Sequence, residues 1–475
     1  MSEGERVTPR SEDYAAWYNE VVRKAELAEH APVRGCMVIR PYGYALWENV
    51  QRALDARFRE TGHSNAYFPL FIPESFIAKE AEHVEGFSPE LAVVTHGGGK
   101  RLEEPLIVRP TSETIINASY AKWVRSYRDL PILINQWSNV VRWELRTRPF
   151  LRTLEFLWQE GHTAHATHAE AEEEARRMLG IYREFYEEQA AIPVIIGRKT
   201  ESERFAGADV TYTVEAMMGD RRALQGSTSH NLGQNFAKAF GIRYLDQNNE
   251  LQNVWQTSWG LSTRSVGAVV MVHGDDRGLI LPPRLAPIQL VVVPIGSGSE
   301  EGAAVRAAAE EVLRSTEGLR SHLDDREEHT PGWKFHHWEQ KGVPLRLEVG
   351  PRDVAQSQVI LARRDTGDKE TVQADGVGPR VEELLGQIQA SLYQRALEFL
   401  EVHTHVVDDY EAFQEILEGE GGFLWTHWCG RASCESKIKT RTKATIRAIP
   451  FPDTTGKPDG AMDGAGNCVR CGRPS

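Results

Sequence analysis

The sequence predicts an α+β fold built on an antiparallel sheet, then an α/β module, then a small α+β end that carries cysteines. Three observations lead there. Across residues 10–285 the apolar, strand-like runs are not separated by regularly alternating helices, which favours an antiparallel over a doubly wound sheet. Prolines at 282, 283 and 287 interrupt that pattern, and beyond them strand and helix alternate over ~100 residues. Four of the five cysteines lie at or beyond Cys429. The expected units are residues 10–285, 287–400 and 403–475, a division that suits 475 residues at ~150 per domain.

The elements follow in order. RLEEPLIVRP, INQWSNVVRWEL and TLEFLWQEGHTAH read as strands. Ala171, Ala175, Met178, Tyr182 and Phe185 recur at spacings of three and four, with EAEEEARR opposite. That spacing predicts an amphipathic helix whose acidic run is a solvated face. IQLVVVPI is nearly all apolar, as a strand covered on both faces should be. SEEGAAVRAAAEEVLRS reads as a helix, and PLRLEVG and QVILARR as strands. A helix beginning at Pro379 puts Val381, Leu384, Leu385, Ile388 and Leu392 on one side.

Composition excludes several classes. The 41% hydrophobic and 26% charged residues are those of a folded soluble protein. The net charge of −13 argues against a generic polyanion binder, though local patches can still meet phosphates. The opening MSEGERVTPRSEDYAAW has no apolar signal core, and no apolar run approaches the ~20 residues of a membrane span. A cytoplasmic protein without a membrane segment is expected. The clustered cysteines do not form a secreted disulfide framework, and the distant Cys36 reads as a buried small residue.

Four strings place charged or hydroxyl residues inside apolar strand patterns: RPTSE at 109–113, RWE at 142–144, RTLEFLWQEGH at 152–162 and GLSTR at 260–264. A charge within a strand is costly unless it is paired or turned to a ligand. Arg142 and Glu144, two apart, would share one strand face. RTRPF reads as the turn of a hairpin that returns Arg152 and Phe156 alongside, and Arg264 would end a third strand. Guanidinium groups near an aromatic ring suit phosphate oxygens and a purine face. The sequence has neither a GxxxxGK[ST] loop nor a dinucleotide fingerprint, so a nucleotide site of another design is expected.

These strings resemble those of the class II aminoacyl-tRNA synthetases. GYALWENVQRALDARFRETGHSNAYFP resembles motif 1, which ends here in Pro69 and in that family builds a dimer interface. RWE with RTLEF resembles motif 2, and GLSTRSVGAVVMVHGDDRGLILPPRLAP resembles motif 3. RPTSE, FLWQEGHTAH, ALQGSTSHNLGQNF, TSWGLSTR and TPGWKFHHWEQKGVPLRLEVGPRDV narrow the resemblance to prolyl-tRNA synthetases of the archaeal/eukaryotic-like type. It runs from about residue 10 through the chain. It implies a class II catalytic core with an antiparallel sheet, an α/β anticodon-binding domain and a small zinc-binding C-terminal domain, in a homodimer.

The resemblance also implies the chemistry: ATP-dependent formation of prolyl-adenylate, then transfer of L-proline to tRNA(Pro). Joining two anions asks for preorganised positive charge. Arg142 and Arg264 are the implied catalytic cations, Arg142 on the α-phosphate and the proline carboxylate, Arg264 on the γ-phosphate and one adenine face. Phe156 stacks on the other face. Arg152 and Thr153 meet the nucleotide from the motif 2 loop, and Glu144 contacts the adenine side or Mg²⁺. Gln225, Thr228 and Ser262 also contact ATP. No general base is evident, so positioning and electrostatics carry much of the rate. For proline, Thr111 and Glu113 accept the two ammonium protons. Trp158, Phe205 and His162 wall the ring, and Glu160 and His230 close the pocket. One methylene discriminates by only ~1–3 kcal/mol, so alanine and cysteine should leak in. Roughly 100 residues separate Phe156 from Gly260. That is too few for the editing insertion of many bacterial members, so a separate trans-editing protein is expected.

In the second unit, Arg346, Glu348, Arg352 and Lys369 are candidates for reading anticodon guanines. In the third, Cys429, Cys434, Cys468 and Cys471 suit a structural tetrahedral Zn²⁺, the alternatives being incidental cysteine pairs or a redox switch. Lys437, Lys439, Arg441 and Lys443 of KIKTRTKATIR would form a basic strand face, meeting RNA or simply solvated. The resemblance implies a further tail finishing in tyrosine, whereas the sequence ends at CGRPS. Two rivals fit less well. A threonyl-type enzyme needs a catalytic zinc on cysteine, and no cysteine lies between Cys36 and Cys429. A non-catalytic paralogue would lack motif residues that are all present here.

Overall fold

The computed structural model describes residues 7–77, 91–296, 302–458, 460–461 and 464–475. The first six residues of the polar opening, and residues 299–301 of the SEEGAAVRAAAEEVLRS helix, lie outside them. In the first unit α1 spans Pro41–Glu60, opened by a proline whose fixed φ and missing N–H suit a first helical turn. It is followed by β1 (Ser64–Asn65), α2 (Glu113–Trp123), β2 (Ile132–Val141), β3 (Glu155–His165) and α3 (His168–Glu184). β4 (Val194–Arg198), β5 (Val210–Met217), β6 (Ala223–Gly233), β7 (Trp255–Ser262) and α4 (Arg264–His273) complete it.

The second unit holds β8 (Leu290–Pro294), α5 (Gly302–Ser315), β9 (Ser321–Leu323), α6 (Pro331–Gln340), β10 (Leu345–Val349), β11 (Gln358–Arg363), β12 (Lys369–Gln373) and α7 (Val377–Val402). α7 starts two residues before the expected Pro379. The third contributes α8 (Ala432–Thr442) and β13 (Ile449–Pro450).

The large sheet runs β13-β4-β5-β6-β7-β3-β2-β1. Its pairs are antiparallel except β1 with β2, which is the expected architecture. α3 covers one face: Tyr182 Oη donates to Gln159 Oε1 (2.6 Å) and Ser229 Oγ to the Ala175 carbonyl (2.7 Å). Trp259 is buried there against Phe58 and Tyr182. Gly161 makes this possible, because a Cβ on it would lie 2.1 Å from the Trp259 ring. The acidic run of α3 is solvated only in part. Glu172 and Glu173 pair with Arg176 and Arg177, but Glu174 is buried beside His63.

The second sheet, β9-β8-β10-β11-β12, is parallel on one side and antiparallel on the other. α5 and α7 pack on one face; on the other, Val291 and Val293 meet Trp338 of α6. The third unit has a small core of Val407, Phe413, Ile438 and Val469.

Four local expectations are corrected. β2 ends at Val141, so Arg142 and Glu144 lie in the irregular segment beyond it and do not share a strand face. β7 ends at Ser262, and Arg264 opens α4 instead of ending a strand. KIKTRTK is mostly helix: Cys434, Glu435 and Ile438 bury at spacings of three and four, so Lys437, Lys439 and Arg441 do not form one strand face, and Lys443 is the left-handed C-cap. Cys36 is half-buried, in the connection between two short strands, not a core residue.

Candidate active site and metal centre

Register decides which side chains share a face, since directly paired residues of antiparallel strands point the same way. The face opposite α3 carries three rows. One runs Ser138–Trp158–Ser262; the next Gln136–Glu160–Gly260–Thr228–Thr213; the third Ile134–His162–Ser258–His230–Thr211. Strand alternation adds Phe156 to that face of β3. Gly260, in the middle of its row, has no side chain, which keeps the centre of the face low.

At one end of the face are the cations. Arg142 Nε donates to the Pro110 carbonyl (3.0 Å), and the guanidinium lies 5.5 Å from the ring centres of both Phe156 and Trp158. Arg264 Nε reaches the Leu151 carbonyl (3.2 Å) and its Nη1 the Gln225 carbonyl (3.3 Å). Burial, with the Arg152 charge nearby, pulls the Arg264 pKa below its ordinary value. Ser262 Oγ accepts from the Arg264 N–H (3.2 Å) and Gln225 Nε2 donates to Thr213 Oγ1 (3.4 Å). Arg152 Nε pairs with Glu144 Oε1 at 2.8 Å, and Thr153 is buried with its hydroxyl on the Glu155 carbonyl (2.7 Å).

Farther along lies an acidic recess. Thr111 Oγ1 donates to Glu113, the first residue of α2, and both are buried. Glu160, 2% exposed, accepts from Ser112 Oγ, Gln136 Nε2 (2.8 Å) and His162 Nε2 (2.9 Å). Burial works against both charges of the Glu160–His162 pair, yet their contact prevails. The carboxyl is held below its usual value, and the imidazole above its own, with Glu113 assisting. Phe205 packs 4.7 Å from the His230 ring, and His230 Nδ1 bonds Thr211 Oγ1 (2.9 Å). The recess thus offers carboxylates to an ammonium and ring faces to a small apolar body.

Sequence reasoning passed over several residues here. Arg109, fully buried, ties the RPTSE turn to Phe68 and Asn139 through three bonds of 2.7–2.9 Å. Ser112 and Gln136 hold Glu160 in place. Glu215, a charge inside the apolar strand VTYTVEAM, carried the same signal as the chosen strings and was not singled out.

In the second unit Arg346 and Lys369 both grip Glu348, at 2.8 Å each, and both lie over the Phe335 ring. Arg352 is exposed just beyond β10. In the third unit the four cysteine sulfurs lie within 4.8 Å of one another, with Cys434–Cys468 at 3.6 Å and Cys429–Cys471 at 3.7 Å. Sulfurs ~2.3 Å from a tetrahedral zinc would be ~3.8 Å apart, so the donor set and spacing fit that ion. Burial raises the Cys468 thiol pKa, but backbone N–H groups of Cys471, Arg470 and Cys429 outweigh it and bring it to about 6, while burial and the neighbouring thiols push Cys434 and Cys471 up.

Known proteins place these features together. The family described as tRNA synthetase class II core domain (G, H, P, S and T) matches residues 94–273, the anticodon binding domain matches 289–384, and the prolyl-tRNA synthetase C-terminal family matches 410–475. A proline–tRNA ligase of Chlorobium phaeobacteroides (strain BS1) is 57% identical over 470 residues, covering 99% of this chain and 97% of the relative. One of Natranaerobius thermophilus is 54% identical, covering 98% and 95%. A chloroplastic/mitochondrial one of Arabidopsis thaliana is 56% identical, covering 96% and 86%.

Proposed function

The chain belongs to the proline–tRNA ligase family, and from that premise we propose how its residues divide the reaction. It ligates L-proline to tRNA(Pro) in protein synthesis, as an ATP-using class II synthetase. The observation that supports our division most is the single sheet face with cations at one end and an acidic, aromatic recess at the other.

In the first step the proline carboxylate attacks the α-phosphorus, giving prolyl-adenylate and pyrophosphate. Arg142 holds the α-phosphate and the carboxylate together, which lowers the repulsion between two anions. Arg264 takes the γ-phosphate and one adenine face, and Phe156 the other. Arg152, Thr153, Gln225, Thr228 and Ser262 fix the nucleotide, and Glu144 its adenine side or a magnesium ion. When bound, Mg²⁺ would supply further positive charge against the phosphates. Thr111 and Glu113 receive the ammonium protons, while Trp158, His162 and Phe205 enclose the ring, with Glu160 and His230 behind. In the second step a ribose hydroxyl at the tRNA 3′ end attacks the adenylate carbonyl and releases AMP.

We assign residues 10–285 to catalysis, 287–400 to anticodon binding through Arg346, Glu348, Arg352 and Lys369, and 403–475 to a zinc-binding domain closed by the four cysteines. A homodimer through the α1–Pro69 segment is supported by exposed Tyr67 (70%) and Phe71 (45%) on either side of Pro69. No helix among the described residues is long and apolar enough to cross a membrane, in keeping with a cytoplasmic enzyme. Alanine and cysteine misacylation is left to a separate editing protein.

Amino-acid-dependent ATP–pyrophosphate exchange with all twenty amino acids tests this assignment. Proline should dominate, with weak exchange for alanine and cysteine. Stronger exchange with any other amino acid would overturn the pocket assignment.

A further inference from the structure

The C-terminal unit reaches into the catalytic sheet. β13 pairs with β4, and Gly197 permits the approach, because a Cβ there would lie 2.3 Å from the Ile449 carbonyl oxygen. Two residues before β13, the half-buried Arg447 meets Glu215, which is 1% exposed. The Glu215 carboxylate accepts four bonds. Lys199 Nζ (2.6 Å) and Thr213 Oγ1 (2.8 Å) reach Oε1; Arg447 Nε (3.0 Å) and Nη2 (2.7 Å) reach Oε2. Lys199 Nζ also donates to the Arg447 carbonyl (2.8 Å).

Glu215 stands opposite Gln225 across β5 and β6, where a bulge skips Gly226. The Gln225 carbonyl is one of the two neutral acceptors that hold Arg264. The Glu215 and Arg447 charges both reach Arg264, with opposite effects on it. A buried carboxylate oxygen that loses its donors recruits another. With Arg447 removed, Arg264 is a guanidinium that the Glu215 charge still reaches, and its two acceptors are replaceable carbonyls.

We propose that Arg447 is a positioning residue for ATP: by occupying Glu215 Oε2 it keeps that carboxylate from drawing Arg264 and Gln225 away from the nucleotide. The C-terminal unit thereby completes the nucleotide end of the catalytic face. This rests on the ATP assignment of Arg264 given above.

The test is steady-state ATP–pyrophosphate exchange on the full-length, zinc-loaded protein. Arg447→Ala should raise the KM for ATP about tenfold, the ordinary size of such a coupling, and leave the KM for proline within about twofold. Arg447→Lys keeps the charge with a single donor head and should raise it about threefold. In Glu215→Gln/Arg447→Ala the carboxylate that needs Arg447 is gone, and the ATP KM should return toward wild type. If Arg447 only ties the two units together, Arg447→Ala lowers the melting temperature and leaves the ATP KM unchanged, which overturns the proposal. Should Arg447→Ala fail to fold, Arg447→Lys alone decides, an unchanged ATP KM overturning it. Wild-type protein without proline-dependent exchange would instead undo the underlying assignment.

Discussion

Two cations of the eight-stranded sheet, Arg142 and Arg264, are held differently from those of the five-stranded sheet, although Glu215 on the former is also closed, by Lys199 and Arg447. In the five-stranded sheet the charges close on each other: Glu348 is held by Arg346 and Lys369, Asp324 by Arg326 and Lys334, Asp365 by Arg363. On the site face of the eight-stranded sheet, Arg264 rests on two backbone carbonyls and Arg142 Nε on another. A guanidinium on a neutral carbonyl exchanges it for a phosphate at little cost, whereas one forked onto a carboxylate gives up a charge-assisted pair. The first sheet is therefore set to receive a charged ligand. A ligand of the second would have to open its pairs by replacing both donors and acceptors, which the edge of a guanine offers.

The largest effect bears on the third unit, which uses sulfur where the sheets use charge. Its core is small, and structural zinc binding, where present, is worth ~10–16 kcal/mol. Atomic absorption should find one zinc per chain, lost in Cys434→Ser or Cys468→Ser, with faster proteolysis confined to residues 403–475. Zinc content unaffected by these substitutions would place the metal elsewhere. Next comes Arg264→Ala, which should lower proline-dependent exchange about 10²–10³-fold, the scale of removing one preorganised electrostatic group. A loss under threefold would show that this sheet's cations are structural after all. Smaller again is Glu348→Gln. Opening the closed pair should raise the KM for tRNA(Pro) about tenfold, the size of one base contact, with exchange unaffected. Equal losses in both assays would erase the contrast between the sheets.

The smallest is a pH effect on the Glu160–His162 pair of the site face. His162 is raised above its usual value, so its stabilisation is fully present below pH 6.5 and is lost as pH rises through the raised pKa. Glu160 is lowered, so its contribution is present above pH 4.5 and is lost as pH falls through the lowered pKa. His162→Gln should thus lower the melting temperature most near pH 5–6, by about 2 °C. The difference should shrink at alkaline pH. A difference independent of pH would mean the imidazole is held neutral.

Much of this site was legible because its residues sit in strings that break an apolar strand pattern. Trp158, Glu160 and His162 alternate within β3, and period two alone puts them on one face. What failed was local. The strand pattern was carried past Val141 to Glu144 and past Ser262 to Arg264, although Thr263 already turns the chain into α4. Alternating Lys, Thr and Arg at 437–443 imitates a strand face, while the residues that decide the structure are the buried Cys434, Glu435 and Ile438. The pairing of Arg447, the last residue of KIKTRTKATIR, left no trace, since its carboxylate partner lies 232 residues away and no spacing rule spans that distance.

That distance has a consequence for biosynthesis. β4 is made about 250 residues before β13, the strand that covers it. At ~5–20 residues per second, the sheet edge stays bare for roughly 10–50 s while the rest of the chain emerges. An uncovered strand edge is a template for pairing with other chains. A ribosome stalled before codon 449 would therefore release a product that carries the motif strings yet leaves Gly197 and Arg198 of that edge unpaired by β13.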